Sequence, residues 1–146
     1  MDVATMGCRK EQLPMNRSFK ATCFHVEDMG EFLVVGLADH KFETVDYLTF
    51  QRSHEFDQQD IEQGMDAVHV ERNDQGHSGY AGIRGVHLFP DRLHIHFDES
   101  GMEFMDGLAS TEVLFDFSGE SFETLRAGLE QCFAGFGCFH DHTRGS

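Results

Sequence analysis

The chain has 146 residues, including 15 phenylalanines, which is enough for one domain with a sizeable core of its own. Its 26 acids against 11 bases leave a net charge of −15, unevenly placed: residues 1–20 carry +2, and the rest carry −17. So acidic a body repels nucleic acid and anionic membrane, which argues against both as partners, and draws in a basic one.

No apolar run approaches the roughly 20 residues of a membrane span, and the N-terminus lacks the apolar core of a signal peptide. Cys8, Cys23, Cys132 and Cys138 form no C-x-x-C pair. Without a secretory signal they read as free thiols in a reducing cytoplasm.

Residues 1–17 have no sustained periodicity and contain Pro14, so they read as a flexible leader; Met15 is a second candidate start. One domain is expected over 18–134 and a flexible, glycine-broken tail over 135–146. Within the domain, F-K-A-T-C-F-H-V-E and E-F-L-V-V-G-L-A-D read as two strands joined by a D-M-G turn, and T-V-D-Y-L-T-F-Q-R as a third. D-Q-Q-D-I-E-Q-G fits one or two helical turns, with Asp57 as N-cap and Gly64 beyond the end. M-D-A-V-H-V-E-R returns to strand alternation, with His69 and Glu71 on one face and Val68 and Val70 on the other.

N-D-Q-G-H-S-G-Y-A-G is turn chemistry, since Asn, Asp, Gly and Ser tolerate tight or left-handed backbone. Ile83–Phe89 and Arg92–Phe97 then form a hairpin across Pro90-Asp91. Pairing His87 with His94 and Val86 with Ile95 puts the apolar residues on one face, and a one-residue slip would send them to the other. T-E-V-L-F-D-F is a further strand, and Ser118 or Ser121 caps a helix in which Phe122, Leu125, Leu129, Cys132 and Phe133 make an apolar stripe. Gly128 would let that helix approach the sheet closely. The expected fold is therefore α+β: a mostly antiparallel sheet of about six or seven strands with one long C-terminal helix packed on one face.

Three constellations bear on chemistry. His87, His94 and His96 share the solvent face of the hairpin and are weak candidates for Zn²⁺ or Cu²⁺, but no acid or thiol completes a ligand set, so no metal or other cofactor is expected. Asp57, Asp60, Glu62 and Asp66 could act as general acid and base only in a cleft that splits their pKa values; a hydrophilic run is ordinarily a solvated face. Met102 and Phe104 occupy positions where a calcium loop needs oxygen. Neither the P-loop nor the G-x-S-x-G pattern occurs. No catalytic residues are assigned.

The densest feature runs from Glu55 to Ile83. Seven acids (Glu55, Asp57, Asp60, Glu62, Asp66, Glu71, Asp74) stand with Arg72 as the sole Lys or Arg among them, followed by glycines at 76, 79 and 82. The motifs E-F-D-Q-Q-D-I-E-Q-G-M-D and V-E-R-N-D-Q-G-H-S-G-Y-A-G-I, with Y-L-T-F-Q-R-S before them and D-R-L-H-I-H-F after, resemble the immunity protein 10 family of bacterial polymorphic toxin systems over roughly residues 20–134. Ala81 stands where that family's pattern leads one to expect glycine.

The resemblance implies a cytoplasmic, non-enzymatic α+β protein that binds a cognate toxin domain and occludes it stoichiometrically, without identifying that toxin; the acidity of the chain points to a basic one, a nuclease being one such class. Asp57, Asp60, Glu62, Asp66, Glu71 and Asp74 would then set on-rate and specificity, with Phe56 and Tyr80 as aromatic anchors. Gly76, Gly79 and Gly82 would shape the loop. A monomer and an edge-paired homodimer both fit. The rival readings are a metal-binding protein or enzyme using His87, His94 and His96, and an acidic scaffold for some other basic protein.

Overall fold

A computed structural model describes residues 15–117 and 121–143. Most of the expected leader, the candidate cap Ser118 and the last three residues of the expected tail lie outside the described residues. The elements run β1 Met15–Ala21, β2 Cys23–Asp28, β3 Phe32–Ala38, β4 Tyr47–Ser53, α1 Gln58–Glu62, β5 His69–Arg72, β6 Asp74–Tyr80, β7 Ile83–Leu88, β8 Arg92–Phe97, α2 Glu99–Phe104, β9 Leu108–Phe115, α3 Phe122–Cys132 and β10 Phe139–Asp141.

The strands form two sheets of five, in the orders β1-β9-β8-β7-β10 and β2-β3-β4-β5-β6. This corrects the expectation of a single sheet of six or seven strands under one long helix. Three helices occur among the described residues, and the last spans 11 residues and is followed by another strand.

Four local causes account for the difference. The run from Phe19 to Glu27 breaks at Thr22, whose N–H donates to Ala38 O (3.0 Å) and whose hydroxyl donates to Asp39 O (2.7 Å). The chain thereby leaves β1 in one sheet and enters β2 in the other. Asn73, at φ +65, turns the chain so sharply that D-Q-G-H-S-G-Y folds back on β5 as a strand rather than a loop. Asp98 caps α2 by accepting from Gly101 N–H at 2.9 Å, a helix that the sequence reading does not include. Residues expected to trail from 135 include β10, which pairs with β7.

Both end strands of the first sheet are parallel to their neighbours: β1 to β9 and β10 to β7. The β7–β8 hairpin has the register read from its alternation, with Val86 opposite Ile95, His87 opposite His94 and Leu88 opposite Leu93.

One core joins the two sheets. Leu33, Val35, Leu37, Leu48, Phe50 and Val70 face it from the second sheet, and Val86, Leu88, Leu93, Ile95 and Val113 from the first. α3 lies across β2, β3 and β4 and adds Leu125, Leu129 and Cys132, all fully buried. Each such leucine contributes about 1.5–3 kcal/mol of burial. Gly128 sets the approach of α3, since a methyl group there would stand 2.8 Å from Val26 Cγ1.

Candidate partner-binding surface

The fold separates the acidic run into two groups. Strand β5 places His69 opposite Gln51 and Arg72 opposite Leu48, so the segment before it and the turn after it lie at opposite ends of the second sheet. At one end stand Glu55, Asp57, Asp60, Glu62 and Asp66, on and around α1. The β2–β3 turn joins them there: His54 bonds Asp28 Oδ1 at 2.9 Å, and its N–H donates to Glu31 O. At the other end stands Asp74, next to Asn73, which meets the β3–β4 loop: Asn73 Nδ2 donates to Asp46 Oδ1 at 2.9 Å, and within the loop Asp39 Oδ1 accepts from Val45 N–H.

Asp28, Glu31, Asp39 and Asp46 were not among the residues singled out from sequence. Their signal was the pairing of the turns: D-M-G and A-D-H-K close the same strands that the acidic segment borders.

Between the two ends lies the solvent face of the sheet. Thr49, Gln51, His69, Glu71, Ser78 and Tyr80 alternate onto it, opposite the buried Leu48, Phe50 and Val70. A groove of about 680 Å³ runs along it, floored by Val34, Gly36, Tyr47 and Thr49 and rimmed by His40, Lys41 and Thr44 of the β3–β4 loop. Two apolar side chains on that loop, Phe42 and Val45, are 77% and 69% exposed. On the sheet face Tyr80 packs edge-on against His69, with ring centres 4.9 Å apart.

Several expected contact residues are engaged within the chain. Asp57 and Asp60 form a capping box on α1: Asp57 Oδ1 accepts from Asp60 N–H at 2.8 Å, and Asp60 Oδ2 from Asp57 N–H at 3.0 Å. Glu62 accepts from Gln58 Nε2, and Asp66 is exposed. Glu71 accepts from the Tyr47 hydroxyl. Burial, and then the Glu71 carboxylate beside it, push the Tyr47 phenol up to about 12. Phe56 is half-buried, in a cluster with Arg52 and Phe136.

The three glycines divide by role. Gly76 N–H donates to Asp74 Oδ1 at 2.7 Å, a tight local turn. Gly79 and Gly82 lie under the Phe104 ring of α2; a methyl group would stand 2.5 Å from Phe104 Cδ2 at the first and 2.7 Å from Phe104 Cζ at the second.

On the far side of the molecule, His87, His94 and His96 gather with His140 and His142 on the solvent face of the first sheet. Among the described residues no three His, Cys, Asp or Glu groups converge as metal ligands would. Burial raises both Cys132, to about 12, and Cys138, so neither is a thiolate at neutral pH.

The chain belongs to a known family: the family model described as Immunity protein 10 matches residues 19–123, most of the chain. It is accordingly an immunity protein of a toxin system. No curated protein matches the chain. No helix among the described residues is long and apolar enough to cross a membrane.

Proposed function

We propose that this immunity protein neutralises its cognate toxin domain by stoichiometric binding, without catalysis, using the solvent face of the β2–β6 sheet. The observation that carries the proposal is the placement of acids at both ends of one exposed sheet face. A basic toxin surface laid along that face meets negative charge at each end. Phe42 and Val45 on the β3–β4 loop at one end, and Tyr80 opposite His69 toward the other, are there to be desolvated. A nuclease, whose own surface must hold a polyanion, is the toxin class that fits best. The encounter takes place in the producer's cytoplasm, before the toxin leaves or after a neighbour delivers one.

The test is stopped-flow association with the cognate toxin domain. Asp60 is tied into the α1 capping box, so Glu62→Lys with Asp66→Lys is the cleaner reversal. At low salt it should slow association by about tenfold and leave dissociation nearly unchanged. An unaltered on-rate would remove the acids of α1 from the interface, and absence of any complex would overturn the proposal.

A further inference from the structure

Five histidines sit on three neighbouring strands of the first sheet or, for His142, directly after one. Across one row, His140 of β10 is directly opposite His87 of β7, which is opposite His94 of β8, which is opposite Glu112 of β9. His87 Nδ1 and His142 Nε2 are 3.0 Å apart, with ring planes 11° from parallel. His140 stacks on His87 at 4.7 Å, and His142 stacks on Phe89 at 4.7 Å.

A hydrogen bond between two imidazoles needs one nitrogen that carries a proton and one that does not. The pair can therefore hold no charge or one charge. A second charge leaves two N–H groups facing each other.

This pair closes the end of a thinly held strand. β10 has three residues. Its backbone is bracketed by two hydrogen bonds to β7, Val86 N–H to Cys138 O and His142 N–H to Leu88 O, both 2.8 Å. On its other face Asp141 is 3.8 Å from Arg126, and Phe139 lies over Phe133. A three-residue strand at the edge of a sheet opens locally at lower cost than the core.

We propose that β10 is a proton-released strap, closed on β7 by the His87–His142 bond near neutral pH and freed when both imidazoles are protonated. The surrounding charges favour release. β8 contributes His94, His96 and Arg92, β7 contributes Arg84, and β10 adds His140. The nearby carboxylates, Glu112 of β9 and Asp91 of the turn, are both bonded to Arg92, at 3.2 and 2.9 Å; Asp141 faces Arg126.

Burial, then His140, His142, His96 and His94, hold His87 below the ordinary histidine range. Burial, then His94 and Arg84, do the same to His96. The closed strap thus disfavours protons that the open one accepts, so its closure is complete above about pH 6.5 and weakens as pH falls below it.

Hydrogen exchange of the full chain at about pH 7.5 and about pH 5.5, corrected for intrinsic rates, tests this. Protection over 138–143 should fall about fivefold at the acid pH, the factor that one hydrogen bond of ordinary net strength represents, while β3 keeps its protection. His142→Phe retains the stack on Phe89 and removes the titrating pair; His87→Gln removes it from the other side. In both variants the acid-induced loss should vanish. Equal protection at the two pH values in the unaltered protein would overturn the strap, as would a loss in both variants as large as its own. Loss spread evenly to β3 would mark global unfolding and overturn it too.

Discussion

Tyr47 and Glu71 meet on the diagonal between β4 and β5, the phenol donating to the carboxylate on the solvent face of the second sheet. An acid that sequence reading offered to a partner is thus already bonded at home, so a toxin cation approaching Glu71 must share it with Tyr47. Burial first, and the Glu71 bond and charge next, raise the Tyr47 phenol from 10 to about 12. The raised group favours the neutral phenol in the folded state. Its contribution to stability is present in full below about pH 10 and is lost as pH rises toward about 12. Absorbance titration of phenolate should show one tyrosine ionising near 12. In Glu71→Gln that midpoint should fall while staying above the ordinary value, because burial remains; a midpoint unmoved by Glu71→Gln would refute the pairing.

Gly79 and Phe104 define a second close contact. A methyl group on Gly79 would stand 2.5 Å from the ring, and Gly82 closes in on the same ring from the next turn of chain, so the ring has little room to move away. Gly79→Ala should cost about 1–3 kcal/mol by overpacking. Cutting the ring back with Phe104→Leu should recover part of that loss, so the two changes together should cost less than the sum of each alone. Urea unfolding of the four proteins measures it. Strict additivity would mean that Phe104 is not what excludes a side chain at 79.

Ala81 sits at φ +61, immediately before Gly82 at φ +79. Two successive left-handed residues suit two glycines, which gives a physical reason for the family pattern noted at this position. An alanine in that region costs about 1–2 kcal/mol, and glycine's extra freedom when unfolded gives back about 0.4–1 kcal/mol. Ala81→Gly should therefore stabilise the domain by about 0.5 kcal/mol, raising the urea midpoint at unchanged slope. A lowered midpoint would show that Ala81 is not strained where it stands.

Local pattern carried the β7–β8 hairpin because both strands and their turn lie within fifteen consecutive residues, and one register alone buries Val86, Leu88, Leu93 and Ile95 together. It could not carry β1 or β10. Their partners, β9 and β7, are far along the chain, and alternation within Met15–Ala21 says nothing about what lies beside it. Thr22 looked like one more strand residue, yet its two hydrogen bonds to Ala38 and Asp39 are what pass the chain between sheets. The acids were visible as residues. Their division was not, because it depends on four residues of β5 separating them and on the acids of two other turns arriving at each end. Phe56 shows the same limit: an aromatic beside acids reads as an anchor, and only tertiary structure brings Arg52 and Phe136 to it.

That Arg52 cluster supports the last prediction. Arg52 Nη1 donates to three carbonyls where α3 ends, Gln131 and Cys132 at 3.2 Å and Ala134 at 2.7 Å. Its guanidinium lies 4.8 Å from the Phe136 ring centre and 5.7 Å from that of Phe56. Carbonyls at a helix C-terminus lack partners within the helix and carry its negative pole, so a cation there satisfies both. α3 has no basic residue in its own last turn, so β4 supplies the charge from outside. Arg52→Met should cost about 1–2 kcal/mol, less than a buried charge would because the site is partly open to water. Arg52→Lys should recover only part of it, because an ammonium has donors enough for the carbonyls but lacks the flat guanidinium that lies over the Phe136 and Phe56 rings. If chemical denaturation found Lys equivalent to Arg, the point charge alone would be at work. If Met were neutral, the C-terminus of α3 would not depend on β4 for its cap.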